Sequence, residues 1–126
     1  MSIENDLFYY LSHYTALKNI VGYGIYPVMA PLIATVPYIV YFKVSGSRQY
    51  THQGYNGIQN PRYQISVYDD SYLDAKNTAE IVKLALEAWS GSNHIQNIQI
   101  ENDLDLIDEE TKLYHVVVDF FITYGE

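Results

Sequence analysis

Few residues in this chain could do chemistry. The histidines are His13, His52, His94 and His115, and no two of them stand at H-x-x-x-H or HExxH spacing. A helix-borne zinc site therefore has no ligands in place. His115 and Asp119 fall on one face of an extended segment, two pleats apart. That spacing offers an imidazole and a carboxylate for acid–base work, and it is equally the spacing of an ordinary polar pair on a half-buried strand. Ser12-His13 and Thr51-His52 set a hydroxyl beside an imidazole. A nucleophile needs a base that is itself oriented by a third group, and neither pair has one at a diagnostic spacing.

The acidic run Asp103, Asp105, Asp108, Glu109, Glu110 invites a calcium reading. It fails the EF-hand template: counted from Asp103, the obligatory Gly falls on Asp108, the fifth-position ligand on Ile107 and the closing Glu on Tyr114. Gly22, Gly24, Gly54 and Gly57 make neither GxGxxG nor a P-loop. Cysteine is absent, which removes disulfides, a thiol nucleophile and Cys-ligated zinc together. No catalytic, cofactor or metal set emerges.

The elements that would position any site come from a chain of 126 residues, room for a single domain spanning 1–126. Hydrophobic residues are 48% and charged residues 17%, a balance that folds rather than staying disordered. Net charge is −8, and it is uneven: residues 101–126 carry eight acids against Lys112. An electrostatic grip on phosphate needs clustered Lys and Arg, so sequence-specific DNA binding is not expected. No signal-peptide pattern and no membrane-spanning run is visible, which points to synthesis in the cytoplasm. Tyr occurs 14 times against one Trp and four Phe. Tyrosine suits both strands and protein interfaces.

Ile3, Leu7, Leu11, Tyr14, Leu17 and Val21 recur at helical spacing and predict one helix over 3–21, ended by Gly22 and Gly24. A short strand near 25–29 is interrupted by Pro27 and followed by Pro31. PYIVYFKVSG at 37–46 reads as a strand. GSRQYTHQGYNGIQNP at 46–61 reads as a long turn-rich loop, of the kind that is usually functional. RYQISVYD at 62–69 alternates as a strand with one buried face. Ser71, with Asp74 three residues on, opens a second helix at 72–89. Residues 95–100 form a weaker strand, 101–112 an acidic connection, and LYHVVVDFFITY at 113–124 the last strand. One face of that strand is wholly apolar. The other, with His115, Val117, Asp119 and Phe121, is more apolar than solvent requires and suits a covering partner. The order α-β-β-β-α-β-β predicts an α+β fold: a single, mostly antiparallel sheet with two helices packed on one face.

These elements carry a combination of short motifs. A leading helix precedes Ile25-Tyr26-Pro27 and Pro31; PYIVYFKVSG ends in an SG turn; RYQISVYD contains Q-I-x-V and runs into the Ala-rich helix at 72–89. An acidic D-x-D-x-x-D-E-E-T is followed by V-V-D-F at 117–120. In this combination the chain resembles the tail-completion (tail terminator) proteins of long-tailed bacteriophages over about residues 7–124.

The resemblance implies a non-enzymatic virion protein at the head-proximal end of the tail. It would form a homohexameric ring that caps the tail tube, ends tube growth and receives the head connector. Its partners would be further copies of itself, the tail-tube protein and the connector or neck protein. DNA would pass through without specific binding, and no cofactor or membrane is involved. In that setting Arg48, Tyr50, His52 and Tyr55 of the long loop, with His115, Val117 and Phe121 of the outer strand face, are the candidate interface. Asp103, Asp105 and Asp108 are the candidate channel lining, where acid would keep DNA from adhering. Two alternatives stay open: a neighbouring neck or minor tail protein of the same fold, and a small α+β ligand-binding or enzyme domain using His115 and Asp119.

Overall fold

The leading apolar stripe folds as two helices, where the sequence predicts one. In a computed structural model that describes residues 3–31, 33–45, 48–51, 54–90 and 95–125 (backbone only for 48–51 and 54–58), α1 spans Ile3–His13 and α2 Thr15–Val21. Tyr14 is extended (φ −78°, ψ 109°) and separates them. The cause is local competition for helix carbonyls: Ser12 Oγ donates to the Tyr9 carbonyl at 3.1 Å, and His13 Nδ1 reaches the same oxygen at 2.8 Å. The stripe survives the break, with Ile3, Leu7, Leu11, Leu17 and Val21 all buried.

Helix α3, Tyr72–Trp89, starts where predicted, its Ser71 Oγ accepting the Asp74 N–H at 3.5 Å. It buries Ala75, Ala79, Val82, Leu86 and Trp89. Small alanines let it approach the sheet closely. Tyr10 stacks on Trp89 with centroids 4.8 Å apart and donates its hydroxyl to the Ala85 carbonyl at 2.6 Å, tying α1 to α3.

Seven strands make one sheet: β1 Ile25–Pro27, β2 Tyr38–Ser45, β3 Arg48–Thr51, β4 Gly54–Gln59, β5 Arg62–Asp69, β6 Ile95–Asp108 and β7 Leu113–Gly125. They fall into five lines, because β4 continues β5 beside β7, and β3 continues β2 beside β4. β7 lies between β5 and β6, and among the described residues only the β1–β2 pair is parallel. The expected α+β architecture is present, with all three helices contributing to the core on one sheet face. That core sits on Ile39, Tyr41, Tyr63, Ile65, Val67, Val116, Val118, Phe120 and Ile122.

Two expectations are corrected. The loop predicted at 46–61 holds β3 and β4, a hairpin arm in register from Arg48↔Gln59 to Thr51↔Gly54. Asn56 and Gly57 fall where its register shifts, so they mark a bulge, not an absence of strands. The acidic connection at 101–112 is mostly β6, which runs unbroken to Asp108. Its Asp-Leu-Asp-Leu alternation has the strand period, and β7 pairs with it continuously from Asn102 to Asp108, after a bulge at Glu101. Asp108 Oδ1 then accepts the N–H groups of Glu110 (3.0 Å) and Thr111 (3.4 Å), shaping the turn into β7.

Candidate interaction surface

Alternation along β2, β5 and β7 sends every second side chain to the face away from the helices. Register assembles these into rows across the sheet. The first row is Tyr38, Tyr68, His115, Leu106; the second is Val40, Ser66, Val117, Leu104; the third is Phe42, Gln64, Asp119, Asn102. Phe121 follows, opposite Arg62. The face is apolar at its centre although no helix covers it. Val40, Ser66 and Val117 are buried between the larger side chains of the rows on either side.

The first row is aromatic, and Tyr26, which lies beside Val40 on the edge strand, reaches diagonally to it. Tyr26 meets Tyr38 edge-on at 6.1 Å, Tyr38 stacks on Tyr68 at 5.0 Å, and Tyr68 meets the His115 ring at 4.6 Å. Burial lowers the His115 pKa, partly opposed by Asp108, and its Nδ1 is buried with no hydrogen-bond partner. Burial likewise raises the hydroxyls of Tyr38 and Tyr68.

His115 and Asp119 do share a face, but they are not an acid–base pair. Four residues of strand hold their Cα atoms about 13 Å apart. His115 is engaged with Tyr68, while Asp119 Oδ2 accepts from Arg62 Nη2 at 3.0 Å. The Arg62 guanidinium also stands 5.8 Å from the Phe121 ring centre. Arg62 and the aromatic row were missing from the sequence-derived site. In RYQISVYD the alternation puts Arg62 on the face opposite Tyr63, Ile65 and Val67, but its partner follows only from the register.

Of the other expected site residues, Val117 and Phe121 lie on this face beside His115. Arg48, Tyr50 and Tyr55 lie on the arm, with Tyr50 opposite Tyr55, and His52 falls outside the described residues. The acids lie elsewhere. Asp103 and Asp105 pair with Val118 and Val116 on the helix side of the sheet. There Lys83 Nζ contacts Asp103 Oδ2, and Lys76 Nζ donates to Asp105 Oδ1 at 3.1 Å. Tyr72 Oη donates to Asp105 Oδ2 at 2.6 Å. These donors hold both carboxyls below the usual range and raise the two lysines. Among the described residues no cluster of His, Asp or Glu could hold a metal ion, and no helix is long and apolar enough to cross a membrane.

The family described as tail completion protein gp17 matches residues 5–125. The chain belongs to that family. It is thus a structural protein of the tailed virion, as its motifs imply. Among solved structures, a chain from the virion of a native gene transfer agent (GTA) particle superposes with a TM-score of 0.83 at 15% identity, covering 99% of this chain and 96% of that one. At that identity the likeness is one of fold. By sequence no curated protein matches. In this tail-completion protein the open sheet face is apolar and aromatic, and the described helices pack on the other face.

Proposed function

We propose that this tail-completion protein acts without catalysis, as a homohexameric ring that caps the tail tube, stops its growth and offers the joining surface for the head connector. Family membership carries the reading. The open face supports it, because Tyr, Phe and Val rows beside one half-buried ion pair have the composition of an interface core. His115, Val117 and Phe121 contribute to protein contact there, and Arg48, Tyr50 and Tyr55 extend it along the arm.

The channel role proposed for the acids narrows. Asp103 and Asp105 share their charge with Lys83 and Lys76. The field that would repel passing DNA then comes mainly from Glu101, Asp108, Glu109 and Glu110, and it acts only within about 8–10 Å at moderate salt.

The test is addition of the purified protein to headless tails. Capping predicts a ring at the head-proximal end by electron microscopy and tubes that no longer elongate. Leu104→Asp with Phe121→Ala, neither of them at a buried side chain, is expected to fold and to lose capping. Binding to filled heads but not to tails would instead assign the chain to the neck. Absence of any ring would overturn the reading.

A further inference from the structure

The two lateral edges of the sheet carry unlike patches at the same height. Tyr26 lies beside Val40, and the row continues through Ser66 and Val117 to Leu104. Ile25 reaches Asp105 in the same way, through Ile39, Val67 and Val116. The β1 edge therefore stands level with the C-terminal half of β6.

The β1 edge is apolar with one cation. Tyr23 is 94% and Ile33 88% exposed, and residues 27–37 contain no charged side chain. Lys18 is exposed, lines a cleft of about 440 Å³ with Tyr23 and Tyr26, and has no ion pair among the described residues. Val28 sits at φ 65°, a conformation rare for a β-branched residue, while its side chain stays exposed. Strain at an exposed apolar position costs the free subunit stability without return.

The β6 edge is apolar with anions. Leu104, Leu106 and Ile107 are about half exposed, and the turn beyond them exposes Glu109 and Glu110. Lys76 and Lys83 are occupied by Asp105 and Asp103, so within the turn only Lys112 offsets these acids. The outer side of β6 pairs with no strand among the described residues. Charge is the usual protection of such an edge. Here its sign also selects: two β6 edges repel one another, whereas a basic, apolar edge is accepted.

We propose that the β1 edge of one copy, with Lys18, Tyr23 and Ile33, docks on the β6 edge and β6–β7 turn of the next copy. This rests on the ring reading above and names its contact. Unlike patches on opposite edges make a heterologous interface, and level patches repeat by rotation without rise, which closes a ring rather than a helix. Apolar burial supplies the attraction. Lys18 against Glu109 and Glu110 sets the alignment and rejects the symmetric β6–β6 dimer.

A chain without cysteine makes the contact easy to trap. Tyr23→Cys and Ile107→Cys lie at opposite edges of one subunit, four strand spacings or about 19 Å apart, too far for a disulfide within the chain. Tails capped by the double variant are oxidised, or treated with a bis-maleimide shorter than that separation. The expected product is a covalent ladder ending at the subunit number of the ring, with each single variant remaining monomeric. A parallel measurement needs no cross-link. Lys18→Glu alone, or Glu109→Lys with Glu110→Lys, is expected to weaken assembly roughly 2–5-fold per contact, and combining them to restore it. A ring seen by microscopy with neither ladder nor charge-swap rescue would overturn this interface and leave the ring standing. A ladder that stops at the dimer would overturn it in favour of a two-fold contact. Capped tails without a ring would overturn the ring reading itself.

Discussion

Arg62 on β5 and Asp119 on β7 form an ion pair, 3.0 Å from Nη2 to Oδ2, on a sheet face built mainly of aromatic and aliphatic side chains. The carboxylate is nearly buried, at 9% exposure of its side chain, and the guanidinium is partly solvated at 37%. Removing the acid leaves a cation beside Phe121 with no partner. Asp119→Ala is expected to lower unfolding free energy by about 1–2 kcal/mol, less than a fully buried pair would cost because water screens Arg62. Urea denaturation measures it. Asp119→Asn with His115→Gln keeps the shapes, and is expected to preserve folding and tail capping. Lost capping in a normally folded double variant would favour a functional pocket at these residues.

His115 gives the protein an acid-sensitive stability. Burial against Tyr68 lowers its folded pKa, and Asp108 opposes this only in part. Protonation is therefore easier in the unfolded chain. Stability is full above the unfolded value of about 6.5 and falls as pH drops through it toward the depressed folded value. Asp69 acts with the opposite sign: its pKa is raised by burial, so it loses stability as pH rises through the carboxylate range. Denaturation midpoints taken from roughly pH 7 to 5 should decline in the native protein and stay nearly flat in His115→Gln.

Charge reversal at the acids reads differently by position. Asp103→Lys sets an ammonium against Lys83 and should cost roughly 0.5–1 kcal/mol at low salt and less at high salt. Glu109→Lys and Glu110→Lys meet no such partner in the subunit and should leave its stability unchanged. If the acidic turn lines the channel, the turn variants combined with Lys18→Glu, which restores the subunit contact, form normal particles with impaired DNA ejection. Normal ejection would place the turn outside the bore.

Gly22 and Gly24 are needed for different reasons. Gly22 sits at φ 58° with open space around its Cα, so Gly22→Ala costs about 1 kcal/mol through backbone strain alone. At Gly24 a Cβ would meet the Val21 carbonyl oxygen at 3.0 Å and Tyr38 Cβ at 3.2 Å. Neither can swing aside, and Gly24→Ala should cost about 1–3 kcal/mol by crowding the junction of α2 and β2. Thermal unfolding of the two variants ranks them.

Much of this architecture is written in periodicity. The Ile65–Val67 alternation, the Val116–Ile122 face and the Ser71 cap each depend on neighbours in sequence, and each is found as expected. What the periodicity hid depends on partners far along the chain. β6 reads as an acidic loop until α3 lysines and the β7 ladder are set against it. The arm reads as a loop because its Gly and Asn outweigh its few β-formers, and it is the strand lines of β2 and β5 that extend it. On the open face, alternation located His115, Val117 and Phe121. It could not pair Asp119 with Arg62, because register is a property of two strands.

The place of β7 bears on how the chain is made. It follows every other strand in sequence, yet it is the only one touching β4, β5 and β6. While a ribosome is still reading codons upstream of Leu113, those strands have no common partner and the sheet exists only as two unjoined pieces. A product cut short by a premature stop or by proteolysis before Leu113 thus lacks the structural centre of the subunit.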